Sequence, residues 1–159
     1  MSRVPATITT HAGLHTSPRR TARFRVRGAS LGLTAKRIDD LVRQIERGLP
    51  FTAMESLADC SGLPLAAIAS VVGIPERTFA RRKVTGRFTL DESERLLRIA
   101  NVFEKATQLF EGNVAGAVTW LTNPKKAFGH ETPLAYSRTE VGAHEVENLI
   151  GRLEHGVFS

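Results

Sequence analysis

Hydrophobic residues recur at helical spacing along most of this sequence. Beginning near Thr34, apolar side chains fall on one stripe with a period close to 3.6 residues, and Gly48 and Pro50 end the segment. The stripe consists of Ile38, Leu41, Val42, Ile45 and Leu49. This pattern predicts a first amphipathic helix.

Two further helices are predicted by the form of their first turns. Thr52 followed by Glu55, and Thr89 followed by Glu92, both have the sequence of a capping box. The first box predicts a short helix. The second predicts a long helix that ends near Gly112. Its apolar stripe is formed by Leu96, Ile99, Ala100, Phe103, Ala106 and Phe110.

The C-terminal third contains the remaining predicted helices. One runs from Asn113 to Leu121, and the last runs from about Thr139 to Gly156. A turn-rich connection separates them. Because no alternating pattern of useful length indicates a β-strand, the predicted fold class is all-α.

The segment from Ile68 to Phe79 has the spacing of a helix-turn-helix. Ala69 is small enough for two helices to approach, and Gly73 supplies a turn conformation that residues with a Cβ resist. The wedge between the helices is expected to contain Ile68, Val72, Ile74 and Phe79. A basic helix that begins at Ile74-Pro75 follows the turn.

The second helix of this motif carries the candidate DNA contacts. If Phe79 is buried, Arg77, Thr78 and Arg81 point outward, where an arginine can pair with guanine in the major groove. The basic residues expected to contact phosphates are Arg82, Lys83 and Arg87. A merely solvated basic face is the alternative, but residues 77–87 contain no acidic side chain.

Charge divides the chain into unlike parts. The formal net charge is +6, but residues 1–98 carry 17 basic and 9 acidic side chains (+8), and residues 99–159 carry 5 and 7 (−2). This asymmetry indicates a polyanionic partner for the first part and a different partner for the rest. We expect a basic, mobile arm over residues 1–32, a helix-turn-helix domain over 33–111 and a third region over 112–159. A solvated tail without a role has the same composition as the arm.

The residues that catalysis or metal binding requires are not grouped in this sequence. It contains no Gly-rich phosphate loop, Cys/His cluster or nucleophile elbow, so we expect no enzymatic activity, no cofactor and no metal site. Cys60 is the single cysteine, which rules out an intrachain disulfide and indicates a reducing compartment such as the cytosol. The longest apolar stretch, Leu63 to Ile74, is too short to span a membrane.

Landmarks in the C-terminal third resemble those of the Xre/MbcA/ParS-type toxin-binding domain. They are Trp120-Leu121, Asn123-Pro124, Phe128-Gly129, Thr132-Pro133-Leu134, Thr139-Glu140-x-Gly142-Ala143 and Gly151-Arg152-x-Glu154-His155-Gly156-Val157. One departure is His130, where relatives commonly have a second glycine. With the Xre-like helix-turn-helix, the resemblance covers roughly residues 35–159 and is to the antitoxin of a bacterial RES–Xre toxin–antitoxin pair.

The resemblance implies two binding tasks. A homodimer is expected to bind operator DNA through Arg77, Thr78 and Arg81, and to repress its own operon in the bacterial cytoplasm. The region 112–159 is expected to bind a RES-domain toxin, a class that resembles ADP-ribosyltransferases and depletes NAD, and to obstruct its active-site entrance. The residues implied in that contact are Arg152, Glu154, His155, Gly156, Val157, Phe158 and Ser159.

Two other functions remain open from the sequence. One is a transcription repressor whose C-terminal half only dimerises or senses a ligand, and the other is an adaptor that links DNA to an enzyme without inhibiting it. Phe158 is equally compatible with insertion into a partner's cleft and with folding back onto its own helix. Phe103, Leu109 and Phe110 are candidates for the dimer seam if they are not all internal.

Overall fold

The computed structural model describes residues 21–156, which form helices joined by short turns. Strand pairing within this part of the chain is limited to isolated bridges, and the all-α prediction is confirmed. Short 3-10 turns occur at Ala29–Leu31 and Lys126–Phe128. The helices are α1 (Ile38–Glu46), α2 (Phe51–Ser61), α3 (Leu65–Val72), α4 (Glu76–Thr85), α5 (Leu90–Leu109), α6 (Val114–Thr122), α7 (Pro133–Tyr136) and α8 (Glu140–Glu154).

Helix α5 is the central element of the fold. It has 20 residues, which corresponds to a length of about 30 Å, and it packs against α1, α2, α3, α6 and α8. Leu96, Ala100 and Phe103 on its apolar stripe are buried in the core. The suggestion that Phe103 belongs to a dimer seam is therefore wrong, and Leu109 and Phe110 are half-buried against the same core.

The capping box predicted at the start of α5 is confirmed. Thr89 Oγ1 accepts a hydrogen bond from the Glu92 backbone N–H at 3.3 Å, and the Glu92 carboxylate accepts one from the Thr89 N–H at 2.8 Å. The Thr89 hydroxyl and the Glu92 carboxylate each accept a hydrogen bond from a backbone N–H group that has no acceptor within the helix.

The capping box predicted from Thr52 and Glu55 is wrong. Helix α2 begins at Phe51, two residues earlier than a cap at Thr52 implies, and the N-cap residue Pro50 makes no side-chain cap. The Phe51 N–H instead donates to the carbonyl of Gly86 at 2.8 Å. A backbone carbonyl from a distant part of the chain thus accepts the hydrogen bond of the first N–H group of α2, and no local sequence pattern predicts such a partner.

Helix α1 begins at Ile38 rather than near Thr34. Leu41 and Ile45 are buried as predicted, whereas Ile38 and Val42 are 61% and 47% exposed. The predicted apolar stripe is therefore wider than the face that α1 buries.

Residues 21–32 pack on the helices, so the arm predicted over residues 1–32 does not include them. The Ala22 N–H donates to the Gly112 carbonyl at 2.8 Å, and the rings of Phe24 and Phe103 lie 5.5 Å apart. We name residues 21–27 the N-terminal strap. Exposed and packed side chains alternate along the strap, as in an extended chain. The exposed ones include Arg23, Arg25 and Arg27. The rest of the predicted arm, residues 1–20, lies outside the described residues.

A buried carboxylate holds the turn that follows the strap. Glu104 accepts hydrogen bonds from the Gly28 N–H at 3.2 Å, the Ser30 N–H at 2.9 Å and the Ser30 hydroxyl at 2.6 Å. Gly28 has a φ of 81°, a conformation that favours glycine. Burial raises the pKa of Glu104, although these donors and the charge of Arg27 act in the opposite direction.

Candidate nucleic-acid and partner-protein interfaces

Helices α3 and α4 meet in the arrangement that the sequence predicts. Helix α3 ends at Gly73, whose φ is 75°, and the Ile74 N–H closes the turn by donating to the Ala69 carbonyl at 2.9 Å. Buried side chains in the wedge are Ile68, Ala69, Val72 and Ile74. Phe79, predicted to be buried, is half-buried, and its ring lies 5.5 Å from that of Phe51 at the edge of the wedge.

The outward face of α4 carries Arg77 and Arg81. Both are exposed, as is Lys83, and we find no hydrogen-bond or ion-pair partner for these three within residues 21–156. Thr78 is half-buried beside them. The structure therefore brings the unpaired cations Arg77 and Arg81 together on one side of α4, whereas Lys83 lies on a different side of the helix.

Two apolar residues on the same face were missed by the sequence reasoning. Ala80 and Val84 are exposed on α4, and Val84 is 88% exposed. They follow Arg77 by three and seven residues, which is the spacing of neighbours on one face of a helix. This spacing is the sequence signal from which they could have been predicted.

Arg82, which the sequence assigns to a phosphate, is instead paired within the protein. Its Nε and Nη2 atoms donate to the Glu92 carboxylate at 2.8 and 3.2 Å, and the two side chains are only 17% and 7% exposed. Burial alone raises the pKa of Glu92, but the hydrogen bonds from Arg82 and Thr89, together with the Arg82 charge, lower it overall. Because Glu92 also caps α5, Arg82 ties α4 to the first turn of α5.

Two other arginines brace the motif. Arg87 is an exposed residue, but its Nη1 atom donates to the carbonyl of Gly48. Arg95 on α5, which the sequence reasoning missed, donates to the carbonyl of Gly73 at 3.2 Å. The turn between α3 and α4 is thus held from the side of α5.

Helix α8 lies parallel to α5. Arg98 pairs with Glu140 at 2.8 Å and Lys105 pairs with Glu147 at 2.7 Å. The two partners are 42 residues apart in the chain in both pairs. A step of seven residues from Arg98 to Lys105 on α5 therefore corresponds to a step of seven residues from Glu140 to Glu147 on α8, in the same direction. The end of α8 therefore lies beside the C-terminal end of α5, whereas α4 is joined to the first turn of α5.

The residues predicted to contact a toxin lie at the C-terminal end of α8. The helix ends at Glu154, and Arg152, Glu154, His155 and Gly156 are all exposed. Val157, Phe158 and Ser159 lie outside the described residues, so both interpretations of Phe158 remain predictions.

Several landmarks of the third region have structural roles. A Cβ at Gly142 would lie 1.8 Å from the Tyr136 carbonyl oxygen, so only glycine fits where α8 meets α7. Thr139 caps α8 by accepting from the Gly142 N–H at 3.0 Å. His130 has a φ of 67°, in the region that glycine adopts most easily, which explains why a second glycine also suits this turn.

Two features of the described residues bear on metal binding and on membrane insertion. No group of three or more His, Cys, Asp or Glu residues within positions 21–156 is placed to hold a metal ion. No single helix in this range is long and apolar enough to cross a membrane, and α2 and α3 meet that test only together, across a bend of 116°.

Comparison with known proteins matches both parts of this architecture. The model of the antitoxin Xre-like helix-turn-helix domain matches residues 40–101, and the model of the antitoxin Xre/MbcA/ParS C-terminal toxin-binding domain matches residues 105–156. The chain is 44% identical over 130 residues to the antitoxin Xre of Yersinia enterocolitica, covering 81% of this chain and 88% of that protein. It is 38% identical to the antitoxin Xre of Photorhabdus laumondii, covering 72% and 78% respectively.

A third relative, the antitoxin Xre of Pseudomonas putida, is 34% identical over 84 residues, covering 52% of each chain. All three relatives are named antitoxins, and the two domain models describe a helix-turn-helix domain and a toxin-binding domain of antitoxins, which is a family of regulators rather than enzymes. The chain therefore belongs to the Xre family of antitoxins, with an Xre-like helix-turn-helix followed by a toxin-binding domain.

Proposed function

We propose that this chain neutralises a RES-domain, NAD-depleting toxin and represses its own operon, acting as a homodimeric antitoxin in the bacterial cytoplasm. The observation that carries the proposal is the placement of two exposed surfaces along α5. The basic face of α4 lies at the first turn of this helix, and the end of α8 lies at its other end, about 30 Å away. One molecule therefore has room for DNA and toxin at the same time.

The DNA-binding step uses the outward face of α4. Arg77 and Arg81 are proposed to pair with bases in the major groove, with Thr78 beside them. Lys83 and Arg87 are proposed to contact phosphates. Arg82 is a positioning residue in this scheme, because its pairing with Glu92 holds α4 at a constant angle to α5.

The toxin-binding step uses the end of α8. Residues Arg152, Glu154, His155 and Gly156, with Val157, Phe158 and Ser159 beyond them, are proposed to enter the toxin's active-site cleft and exclude NAD. Helix α8 is anchored on α5 by the Arg98–Glu140 and Lys105–Glu147 pairs. A helix that is already folded and packed up to Glu154 loses little conformational freedom on binding, which favours affinity.

The toxin-binding proposal is tested by deleting residues 154–159 and co-expressing the chain with a RES-domain protein encoded next to it. We expect growth arrest and a fall in cellular NAD with the truncated chain but not with the full chain. Retained operator binding by the truncated chain shows that it still folds. A truncated chain that still protects growth contradicts the proposal.

Two other results of this experiment favour the alternative functions. A complex that forms while NAD loss continues favours the adaptor. A full chain that binds DNA but neither binds the RES-domain protein nor protects growth favours the stand-alone repressor.

The homodimer is proposed to form at a groove of about 680 Å³ between α1, α5 and α8. Exposed apolar side chains of Ile38, Val42 and Leu90 line it. Asn101 also lines it, and its buried Oδ1 atom has no hydrogen-bond partner among the described residues. Apolar contacts and a donor from a second copy satisfy both features.

Of the charged side chains that line the groove, Arg98, Glu140 and Glu147 form ion pairs within the molecule, which leaves Arg27, Glu46 and Glu94 to face a second copy. Glu94 lies seven residues before Asn101 on α5, at one end of the groove. Arg27 lies at the opposite end of the groove, because it also lines the adjoining cleft beneath the strap. A two-fold axis places unlike ends of the groove together and pairs Arg27 with the other copy's Glu94.

The dimer proposal is tested by charge reversal, with molar mass measured by light scattering. Arg27→Glu and Glu94→Arg should each weaken the dimer, and the double variant should restore it because the pair is re-formed with opposite signs. A dimer that is unchanged by both single variants contradicts this seam.

A further inference from the structure

Val84 is an unusual residue for its position. It is the most exposed of the large hydrophobic side chains in the described chain, at 88%, ahead of Val141 at 75%. It lies on α4 beyond the exposed Arg77 and Arg81, one residue before the helix ends at Thr85. A valine there contributes nothing to the core and is accessible to a partner that approaches this face of α4.

The helix geometry places Val84 on the face that carries Arg77 and Arg81. With 3.6 residues per turn, position 84 is rotated by only about 20° from position 77, whereas Phe79 lies about 140° from Val84 around the helix. Val84 lies about 10 Å further along the helix than Arg77, which equals the rise of about three base pairs. Ala80, exposed between them, is small and leaves room for close approach to a surface.

We propose that Val84 reads thymine through its 5-methyl group in the major groove, about three base pairs from the base contacted by Arg77. This inference rests on the proposed DNA binding of α4. Thymine is the one base that presents a methyl group in the major groove, and apolar side chains contact it there. Valine has no donor for a phosphate, so contact with this methyl group is the interaction with DNA that suits its chemistry.

The test removes the methyl groups from the DNA and the isopropyl group from the protein. A promoter fragment from the chain's own operon is synthesised with deoxyuridine in place of thymidine, and Kd is measured for both fragments. We expect wild-type protein to bind the uracil fragment about fourfold more weakly per methyl group contacted, the ratio that one buried methyl group provides. Val84→Ser should reduce this ratio to about one, and Val84→Thr, which keeps one methyl group, should give an intermediate ratio.

Val141→Ser is the matched control, because Val141 is also a highly exposed valine, at 75%, but lies on α8 rather than α4. It should keep the wild-type ratio. A wild-type protein that binds both fragments equally overturns the inference. So does a Val84→Ser variant that keeps the full preference for thymine, since that preference then comes from DNA shape. Failure to bind either fragment instead overturns the proposed DNA binding itself.

Discussion

Two buried glutamates on α5 show how neighbouring side chains decide the behaviour of one residue type. Glu92 is surrounded by the Arg82 guanidinium and the Thr89 N–H, and its pKa is lowered. Glu104 accepts hydrogen bonds only from neutral donors on Gly28 and Ser30, and burial raises its pKa. The two carboxylates therefore affect stability in opposite senses as the pH changes.

Replacing Glu92 with Gln is expected to lower the free energy of unfolding by about 1.5–3 kcal/mol at pH 7, the contribution typical of hydrogen bonds to a charged group. A lowered pKa gives stability that is present above the unfolded value and lost as the pH falls through the folded value. The difference between wild type and Glu92→Gln should therefore shrink below about pH 4. Urea titrations at both pH values measure it, with Glu145→Gln at an exposed position of α8 as control. An equal difference at both pH values contradicts the assignment.

Replacing Glu104 with Gln is expected to produce the opposite pH dependence. A raised pKa gives stability that is fully present below the unfolded value and is lost as the pH rises through the folded value. Wild-type protein should therefore lose stability relative to Glu104→Gln as the pH rises from about 4 towards neutrality. Thermal unfolding of both proteins across this range is the measurement, and a widening advantage of wild type with rising pH excludes this account.

At the scale of elements, the direction of α8 depends on a close approach at its first turn. Gly142 allows the helix to begin against the Tyr136 carbonyl, and Val146 and Ile150 then bury the face that meets α5. Since the proposed toxin contact lies at the other end of α8, a small tilt at Gly142 is transmitted along the whole helix.

Gly142→Ala is expected to lower the free energy of unfolding by about 1–3 kcal/mol or more, because its Cβ overlaps a backbone oxygen. Gly151→Ala on the same helix is the matched control, since nothing lies within 4 Å of a Cβ there. Alanine should stabilise that position by about 0.5–1 kcal/mol through its helix propensity. Chemical denaturation of both variants distinguishes the effects, and equal stability changes would refute the close-approach argument.

At the scale of the whole molecule, α5 joins two surfaces while keeping them apart. Arg82 and Glu92 attach α4 at its first turn, and the Lys105–Glu147 pair attaches α8 further along. Changes at one surface should leave the other unaffected, because no exposed residue belongs to both.

The double variant Arg77→Ala with Arg81→Ala is expected to lose operator binding while still protecting cells from the toxin. Each bidentate pair with guanine contributes about 1–3 kcal/mol of discrimination, so affinity should fall at least tenfold. Wild-type affinity should fall steeply between 50 and 200 mM salt, in proportion to the phosphates contacted. Electrophoretic mobility shifts and growth assays measure both functions. Simultaneous loss of both, or a flat salt response, contradicts the division.

Much of the fold follows from the sequence alone because its signals are local. The Thr89/Glu92 capping box, the glycine-terminated turn at Gly73 and the helical periods depend on residues within a few positions of one another. The same holds for the exposed face of α4, since the side of Arg77 and Arg81 follows from helix geometry. The family resemblance also arises from short motifs, such as Gly142 and Thr139, whose roles are local caps and close approaches.

Tertiary structure decided the features that depend on distant partners. Arg82 has the same local surroundings as the other basic residues of α4, and only the approach of α5 pairs it with Glu92. The sequence of residues 21–32 predicts a solvated arm. In the folded protein, Glu104 accepts hydrogen bonds from this segment and Phe103 packs against it. A sequence pattern specifies which face of a segment is apolar, but the partner that covers it is determined by the packing of residues far apart in the chain.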